Sequence, residues 1–481
     1  MGNSRGLVYL ELIQFLRNRA FLGLMATLFI LMALAAWNTY EYTSSKKDEV
    51  RRQLNIVRDN DQMLAAEIDS LARGLASYES SYTLPTNGVR LTYNNHRVAH
   101  LPFKPLGLIA IGQGDLFSNY KKIVLYFNTS YEMSTEELVS PLEQLFGQLD
   151  LAFVWIYLMP LIIILVSFNL LSLERETGRL PLIASQPLSV SRWVFTKIRL
   201  RFLVVTFAII AFLTILLLLF GINISQNVAP FAQLLSILVL YSAFWFMLCF
   251  LVNLMGLSSG KCLIVLTSIW VLFVFLIPSM LNQLAKEFYP VPSRLSVINH
   301  HQAMYNAMED NYEEELVKLY DRHPYWESDD PVTADRSNAT GWNINYLAKQ
   351  YMAQIKHRPV VDDYEARVTL RNEWMNNLSV LSPALLIQSG LMSIAGTSTA
   401  FYREFLSQAV TYAQDYREYV FQGLFTNHAF TREEIQSLPK FEFNEQLVPN
   451  SFGSDVLVLS VYIVLLVASS IGMMQRAVTI K

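Results

Sequence analysis

The sequence predicts an all-α membrane protein with six transmembrane helices and two large, mostly helical (α or α+β) extracytoplasmic insertions. Three observations carry this. Hydrophobic residues fill 53% of the 481 positions and charged residues only 16%, whereas soluble domains run near a quarter charged. Apolar runs recur at about the 20 residues that a helix needs to cross a bilayer. The short segments between those runs are basic, which marks the cytoplasmic side.

Residues 1–20 come first. Within 4–20 (SRGLVYLELIQFLRNRA), Leu7, Leu10, Ile13 and Leu16 fall at helical spacing, with Glu11, Arg17 and Arg19 elsewhere. This pattern predicts an amphipathic helix on the membrane surface; a plain lead-in to the first span is the alternative. The spans are expected at about 21–38, 151–173, 202–221, 233–255, 263–283 and 455–474, with interiors almost free of ionisable residues. Asp150, Lys261 and Asp455 sit at span ends, where they are expected to reach the headgroups. No cleavable signal peptide is evident after the first run.

Charge in the short loops sets the orientation. Arg5, Arg17 and Arg19, the loop at 174–201, Lys261 in the 256–262 turn, and Arg476 with Lys481 all fall on one side if both termini are inside. The 222–232 turn (INISQNVAPFA) carries no charge.

Two long segments then lie outside, 39–150 and 284–454. In the first, Val50, Leu54, Val57, Asp61, Leu64, Ile68, Leu71 and Leu75 form a heptad-like seam. It is expected to pack on its own domain, with a coiled coil between chains as the other possibility. Residues 82–130 look mixed, with a strand-like IVLYF (123–127) and a turn at Thr86-Asn87-Gly88. Helices are expected in the second segment at about 300–322, 343–356, 360–378 and 384–424, broken at HPYWESDDPV and HRPVVDD. The run 378–395 is apolar enough for a seventh span, but Pro383, Gln388 and Gly390 interrupt it, so it is placed on the membrane surface or inside the external domain. Phe405, Tyr412, Tyr416 and Tyr419 mark one face of the following helix, a core face before a ligand surface.

The loop ERETGRLPLIASQPLSVSRWVFTKIRLR (174–201), lying within the 151–283 membrane block, is the most informative stretch. It sets Arg175, Arg179, Arg192, Lys197, Arg199 and Arg201 against only Glu174 and Glu176, and a Gln186-Pro187 break precedes a basic helical segment. It is suited to dock a cytoplasmic partner.

Chemistry is sparse elsewhere. His96 and His100 have i, i+4 spacing, but NNHRVAH looks like loop or strand, and two histidines do not complete a zinc site. Asp329-Asp330 and Asp362-Asp363 suit solvated loops. GLSSGKC (256–262) has one residue too few between its glycines for a phosphate loop, and Cys262 replaces the needed Ser or Thr. No cofactor site, metal site or nucleic-acid surface is therefore expected on this chain. Cys249 and Cys262 both fall in or beside spans, so the long segments hold no disulfide. The spans offer Asn169 and Asn253 but no mid-membrane carboxylate, so ion coupling is not expected.

With these features in register, the sequence resembles a permease subunit of a type-2 ABC exporter. Glu174-Arg175-Glu176-Thr177-Gly178-Arg179-Leu180 at the end of the second span is similar to that family's E-R-E-x-G-x-L motif, and QPLSVSRWVFTK (186–197) to its Q-P-x-S-x-x-R pattern. Arg179 departs from the Thr or similar residue that often follows the glycine. Ser382-Pro383-Ala384, Ala395-Gly396-Thr397 and Tyr402-Arg403-Glu404-Phe405 resemble the last external helix of a subgroup with large insertions after spans one and five. The resemblance implies a separate cytoplasmic ABC ATPase, which would carry ATP and magnesium, a second permease chain in a homo- or heterodimer, and a bacterial inner membrane with both termini cytoplasmic. The ATPase-coupling residues would be Glu174, Arg175, Glu176, Gly178, Leu180, Arg192 and Lys197, with Leu180–Ala184 as the coupling helix and Gly178 allowing a sharp turn. Glu174 and Glu176 would pair with Arg residues of this chain or of the partner. Membrane lipid and an extracytoplasmic protein are further expected partners. A scaffold or sensor without transport is the main competitor, and a lipid- or glycan-modifying enzyme using Asp329 or Asp362 a third.

Overall fold

A computed structural model of the chain describes residues 9, 11–78, 84–88, 90–91, 96–112, 118–124, 149–181, 185, 190–307, 314, 317–318, 321, 339–425 and 428–479. The described chain is mostly helical, and six of its helices are long and apolar enough to cross a membrane, or up to seven if a bent pair at 383–423 counts as one. It is a multi-pass membrane protein. A short helix α1 (residues 11–16) leads in, and Asn18 caps α2 (Arg19–Ala72) by accepting from the Ala20 amide at 2.9 Å. The other spans are α3 (Leu151–Glu176), α4 (Val190–Leu219, apolar from Trp193), α5 (Val228–Leu254), α6 (Ser259–Phe288) and α12 (Phe452–Thr479, apolar to Met474). Between α6 and α12 lie α7 (Arg294–Ala307), α8 (Ala339–Leu378), α9 (Pro383–Ala395), α10 (Thr399–Phe425) and α11 (Arg432–Gln436).

The helix that carries the first span does not stop near residue 38 but continues into the expected helical seam. α2 runs on for 54 residues, about 81 Å at 1.5 Å per residue. Phe21, Met25, Leu28, Met32, Ala35 and Ala36 pack into the membrane bundle, and Leu64, Ala65 and Ile68 are buried further along the same rod. The heptad-like seam therefore packs within the chain at Val50, Leu64 and Ile68, while Leu54 and Leu75 are exposed.

Prolines and breaks in the spans free backbone groups, and side chains of neighbouring helices take them up, as an apolar medium requires. Pro160 in α3 has no N–H, and Tyr241 of α5 donates to the Ile156 carbonyl at 3.0 Å. Pro278 in α6 lies just beyond a π-turn at Leu272–Leu276, and Ser382 donates to the Phe273 carbonyl at 2.5 Å. α3 leaves regular helix at residues 168–171, where Asn253 of α5 donates to Ser167 O at 2.9 Å and accepts from the Leu171 amide at 3.1 Å.

α9 corrects a sequence expectation. It packs into the span bundle against α5 and α12 instead of lying on the membrane surface or inside the second core. Leu386, Ile387 and Leu391 are fully buried there, and Ser382 at its start reaches Phe273, half-way along α6. Gly390 makes this possible: a Cβ on it would stand 2.2 Å from Ile237 Cδ1 of α5.

A second core joins the distal part of α2 to α8, α10, α11 and a two-stranded antiparallel sheet of β1 (Arg97–His100) and β2 (Tyr120–Ile123). Phe405 and Tyr416 lie inside it, so the aromatic face of α10 is core as expected, except that Tyr419 is exposed. Arg97 is buried there and forks onto Asp61 at 2.7 and 2.8 Å, with its guanidinium 5.6 Å from the centre of the Tyr416 ring. Burial works against the Arg97 charge, but the Asp61 carboxylate outweighs it and raises the arginine's affinity for its proton.

Other expectations shift. IVLYF contributes only Ile123 to β2, and 125–127 lie outside the described residues, as do HPYWESDDPV and Asp329-Asp330. HRPVVDD is not a break: α8 passes through Pro359, and Asp362 and Asp363 sit on that helix, ion-paired at i, i+4 spacing to Arg358 and Arg367. The 384–424 helix is two helices, parted at Gly396. Asp150 and Asp455 are buried instead of reaching outward; only Lys261 is exposed. Asp150 caps α3 through the Phe153 amide at 2.7 Å and also accepts from the Ile111 amide at 3.0 Å; burial raises its proton affinity against those bonds. His100 closes β1 and His96 precedes it, so the two do not share a helix face.

Substitution Gly390→Ala should overpack the α9–α5 contact and cost about 1–3 kcal/mol. Adding Ile237→Val, which removes the Cδ1, should recover part of the loss in thermal unfolding of the detergent-solubilised protein.

Candidate functional site

The end of the bundle that gathers the basic residues is built on the last turns of α3. Ser172–Glu176 is helical, and the chain turns off at Gly178, whose φ of 70° is open to glycine at little cost. The turn is closed by the Gly178 amide on Arg175 O at 3.1 Å and the Arg179 amide on Glu174 O at 2.8 Å. This pair of hydrogen bonds is the helix-ending pattern that a left-handed glycine permits. On the last helical turn before it, Glu174 ties α3 to α4, and Arg175 and Glu176 tie it to the junction of α5 and α6.

Glu174 reaches α4. Its carboxylate lies 3.2 Å from Lys197 Nζ, and Glu11 of α1 lies 3.1 Å from the same nitrogen. The Lys197 side chain is only 8% exposed, and its ammonium sits 3.9 Å from the centre of the Trp193 ring, one turn earlier on α4. A buried ammonium thus holds two carboxylates and an aromatic face, which supplies the compensation that its lost hydration demands. α1 is fixed a second time: the Arg201 guanidinium lies 5.0 Å from the centre of the Phe15 ring and donates to the Val166 carbonyl of α3.

Glu176 and Arg175 reach the turn between α5 and α6. Glu176 accepts from the Ser259 amide at 2.8 Å and the Ser259 hydroxyl at 2.8 Å, and so caps the first turn of α6 from outside its own chain segment. Arg175 donates to the Gly256 carbonyl, and Ser172 and Ser259 share a hydroxyl contact of 2.9 Å. Just above, the Asn253 carboxamide bridges the break at 168–171. The ends of α1, α3, α4, α5 and α6 are therefore joined by polar contacts within one layer.

The structure brings Glu174, Arg175, Glu176, Gly178 and Lys197 together. Leu180 is half-buried against the bundle, Leu180 and Pro181 are helical, and 182–184 lie outside the described residues. Arg192 lies in the first turn of α4, with its side chain outside the described set. The acidic pair was expected to meet arginines of this chain or of the partner; within this chain it meets Lys197 and a helix N-terminus. In the amphipathic segment Phe15 is buried, Ile13 half-buried and Leu16 exposed, while Leu7 and Leu10 lie outside the described residues. Glu11, Trp193, Gly256 and Ser259 were missed as members of the site. Trp193 stands four residues before Lys197, and Glu11 is the one acid in a basic segment; both signals were in the sequence.

A family model described as Domain of unknown function (DUF3526) matches residues 294–444, which span α7 to the segment after α11. No curated protein matches the chain.

Glu11 and Glu174 should be redundant partners of Lys197. The double variant E11A/E174A strands a buried ammonium, worth about 3–5 kcal/mol, and should cost more than the two single variants together. Replacing Lys197 by Met on that background should restore most of the loss in the same unfolding assay.

Proposed function

We propose that the chain is the membrane permease of an ATP-driven ABC export complex, seated in a bacterial inner membrane with both termini cytoplasmic. The observation that carries this is the joining of five helix ends through Glu174, Arg175, Glu176 and Lys197. Force applied at 180–184 would be shared by α1, α3, α4 and the α5–α6 turn instead of bending one loop. That is what an element driven by a separate engine requires. The E-R-E-x-G-x-L resemblance supports the same reading, because its residues are the ones that make these ties. The basic charge at this end supports a cytoplasmic orientation.

On this reading ATP and magnesium belong to a cytoplasmic ABC ATPase docked at 174–201, and this chain is no catalyst itself. A second permease chain completes the pathway, and lipid surrounds both. The segments 39–150 and 284–454 form the extracytoplasmic part, where substrate choice or contact with an outer partner protein resides. Because α2 links the bundle to the second core without interruption, ATP-driven motion of that outer part is as compatible with the fold as passage of a substrate. An extracytoplasmic scaffold or sensor without transport remains the competitor, and it gives the tied helix ends no task.

Affinity purification of the intact complex from native membranes, followed by mass spectrometry, should recover an ABC ATPase in stoichiometric amount. Variant E174A, still folded through Glu11, should reduce ATPase stimulation by the permease several-fold. Recovery of no ATPase, or full stimulation in E174A, would overturn the proposal.

A further inference from the structure

Helices α7 and α8 meet through three imidazoles. His300 and His301 are neighbours on α7, and His357 lies on α8 two residues before Pro359. His300 Nδ1 and His357 Nδ1 are 3.2 Å apart, with the rings stacked at 5.3 Å between centroids, and His301 meets His357 edge-on at 5.2 Å. His357 is 2% exposed and His301 8%, whereas His300 is open to water. Among the described residues no group of three His, Cys, Asp or Glu has the geometry of a metal site, so the exchangeable species to consider here is the proton.

The contact admits few protonation states. Two imidazole nitrogens at hydrogen-bond distance need one N–H and one lone pair between them. The other ring nitrogen of His357, Nε2, is buried with no hydrogen-bond partner among the described residues. Charging His357 while His300 also carries a proton on Nδ1 sets two N–H groups against each other. It also leaves a buried imidazolium with an unanswered donor at Nε2, and a buried charge without a partner is costly.

Among the described residues, the groups on the neighbouring elements do not relieve this. From α7 come His301 and Tyr305, the latter with the Lys349 ammonium of α8 4.6 Å from its ring centre. α8 itself adds Lys356 and Arg358, the second already ion-paired to Asp362 at 3.0 Å. α10 shares the second core with Met352 and Ala353 of α8, and its Tyr402, Tyr412 and Tyr416 in that core are phenols that stay neutral in acid. The charges acting on His357 come from His301 and His300, and both oppose its protonation.

We propose that His357, seated against His300, is an acid-sensitive latch between α7 and α8: the two helices pack at neutral pH, and protonation of His357 separates them. Burial, followed by His301 and His300, lowers the His357 pKa from 6.5 to about 4 in the packed arrangement. Its folded pKa is the depressed one, so the packed arrangement is fully favoured above pH 6.5, loses ground as the pH falls, and levels off near 4. Over that window the packing equilibrium should weaken by up to roughly 300-fold. The inference needs no ATPase, so it stands or falls apart from the export reading.

The test uses the full chain in lipid nanodiscs, with spin labels on cysteines introduced at the exposed Asn299 of α7 and Ala366 of α8. Inter-label distances are measured from about pH 7.5 down to about pH 4, the range of a lowered histidine pKa. The short-distance population should dominate at neutral pH, decline reversibly between pH 6.5 and 4, and stay constant in H357Q. Variant H300N offers a carbonyl to the His357 imidazolium and should move the transition to lower pH; this arm decides the matter alone if H357Q does not fold. A wild-type distance that ignores pH, or an H300N profile identical to wild type, would overturn the latch.

Discussion

The constraint on which the rest of the structure depends is that a backbone group freed inside the membrane bundle must find a protein partner. Water is not there to take it up. Every departure from regular helix in the spans is answered by a side chain of another helix. Ile156 O has Tyr241, Phe273 O has Ser382, and the break at 168–171 has Asn253. These contacts do more than repair. Apolar side chains pack against lipid tails nearly as well as against one another, so hydrophobicity alone gives spans little reason to associate in one register. A carbonyl that has a single donor within reach supplies that reason. The kinks that make α3 and α6 irregular are thus also what index them to α5 and α9.

The same logic at the basic end uses charge. Lys197 is too buried to be left alone and too close to Trp193 to turn away, and two carboxylates from different elements converge on it. The Ser259 amide and the Gly256 carbonyl, loose ends of a tight turn, are claimed by Glu176 and Arg175. Ionic and polar ties therefore collect where the chain leaves the apolar slab, and the spans between are held by hydroxyls and one amide.

Much of this was legible in the sequence because hydropathy and charge act over whole segments. Six spans follow from run length, and the 174–201 loop follows from its basic residues and its E-R-E triplet. What was not legible depended on geometry between distant segments. Glu11 and Lys197 are 186 residues apart in sequence, and no local pattern pairs them. Pro359 and the His357–Asp363 stretch carried the signals of a helix break, yet α8 continues because tertiary packing holds His357 inside. Pro383 and Gly390 counted against a membrane location for α9. In the structure one starts that helix and the other lets it approach Ile237, so residues that usually mark an interruption instead fit a short helix into a crowded place. Asp150 and Asp455 sat at span ends as expected, but their carboxylates are buried, Asp150 accepting from the Phe153 and Ile111 amides and Asp455 from the Ser451 hydroxyl.

The unbroken course of α2 has a mechanical corollary. Some 35 residues of that rod lie beyond the first apolar stretch, about 50 Å at helical rise, and they end in the second core beside α11. A helix of that length is a lever arm with its fulcrum in the bilayer. A tilt of about 5° at the membrane end would sweep the distal tip through roughly 4 Å, comparable to one helical turn. α1, tethered by Lys197 and Arg201, grips the short arm, so a sub-ångström shift of the tied helix ends is geared up before it reaches the far core.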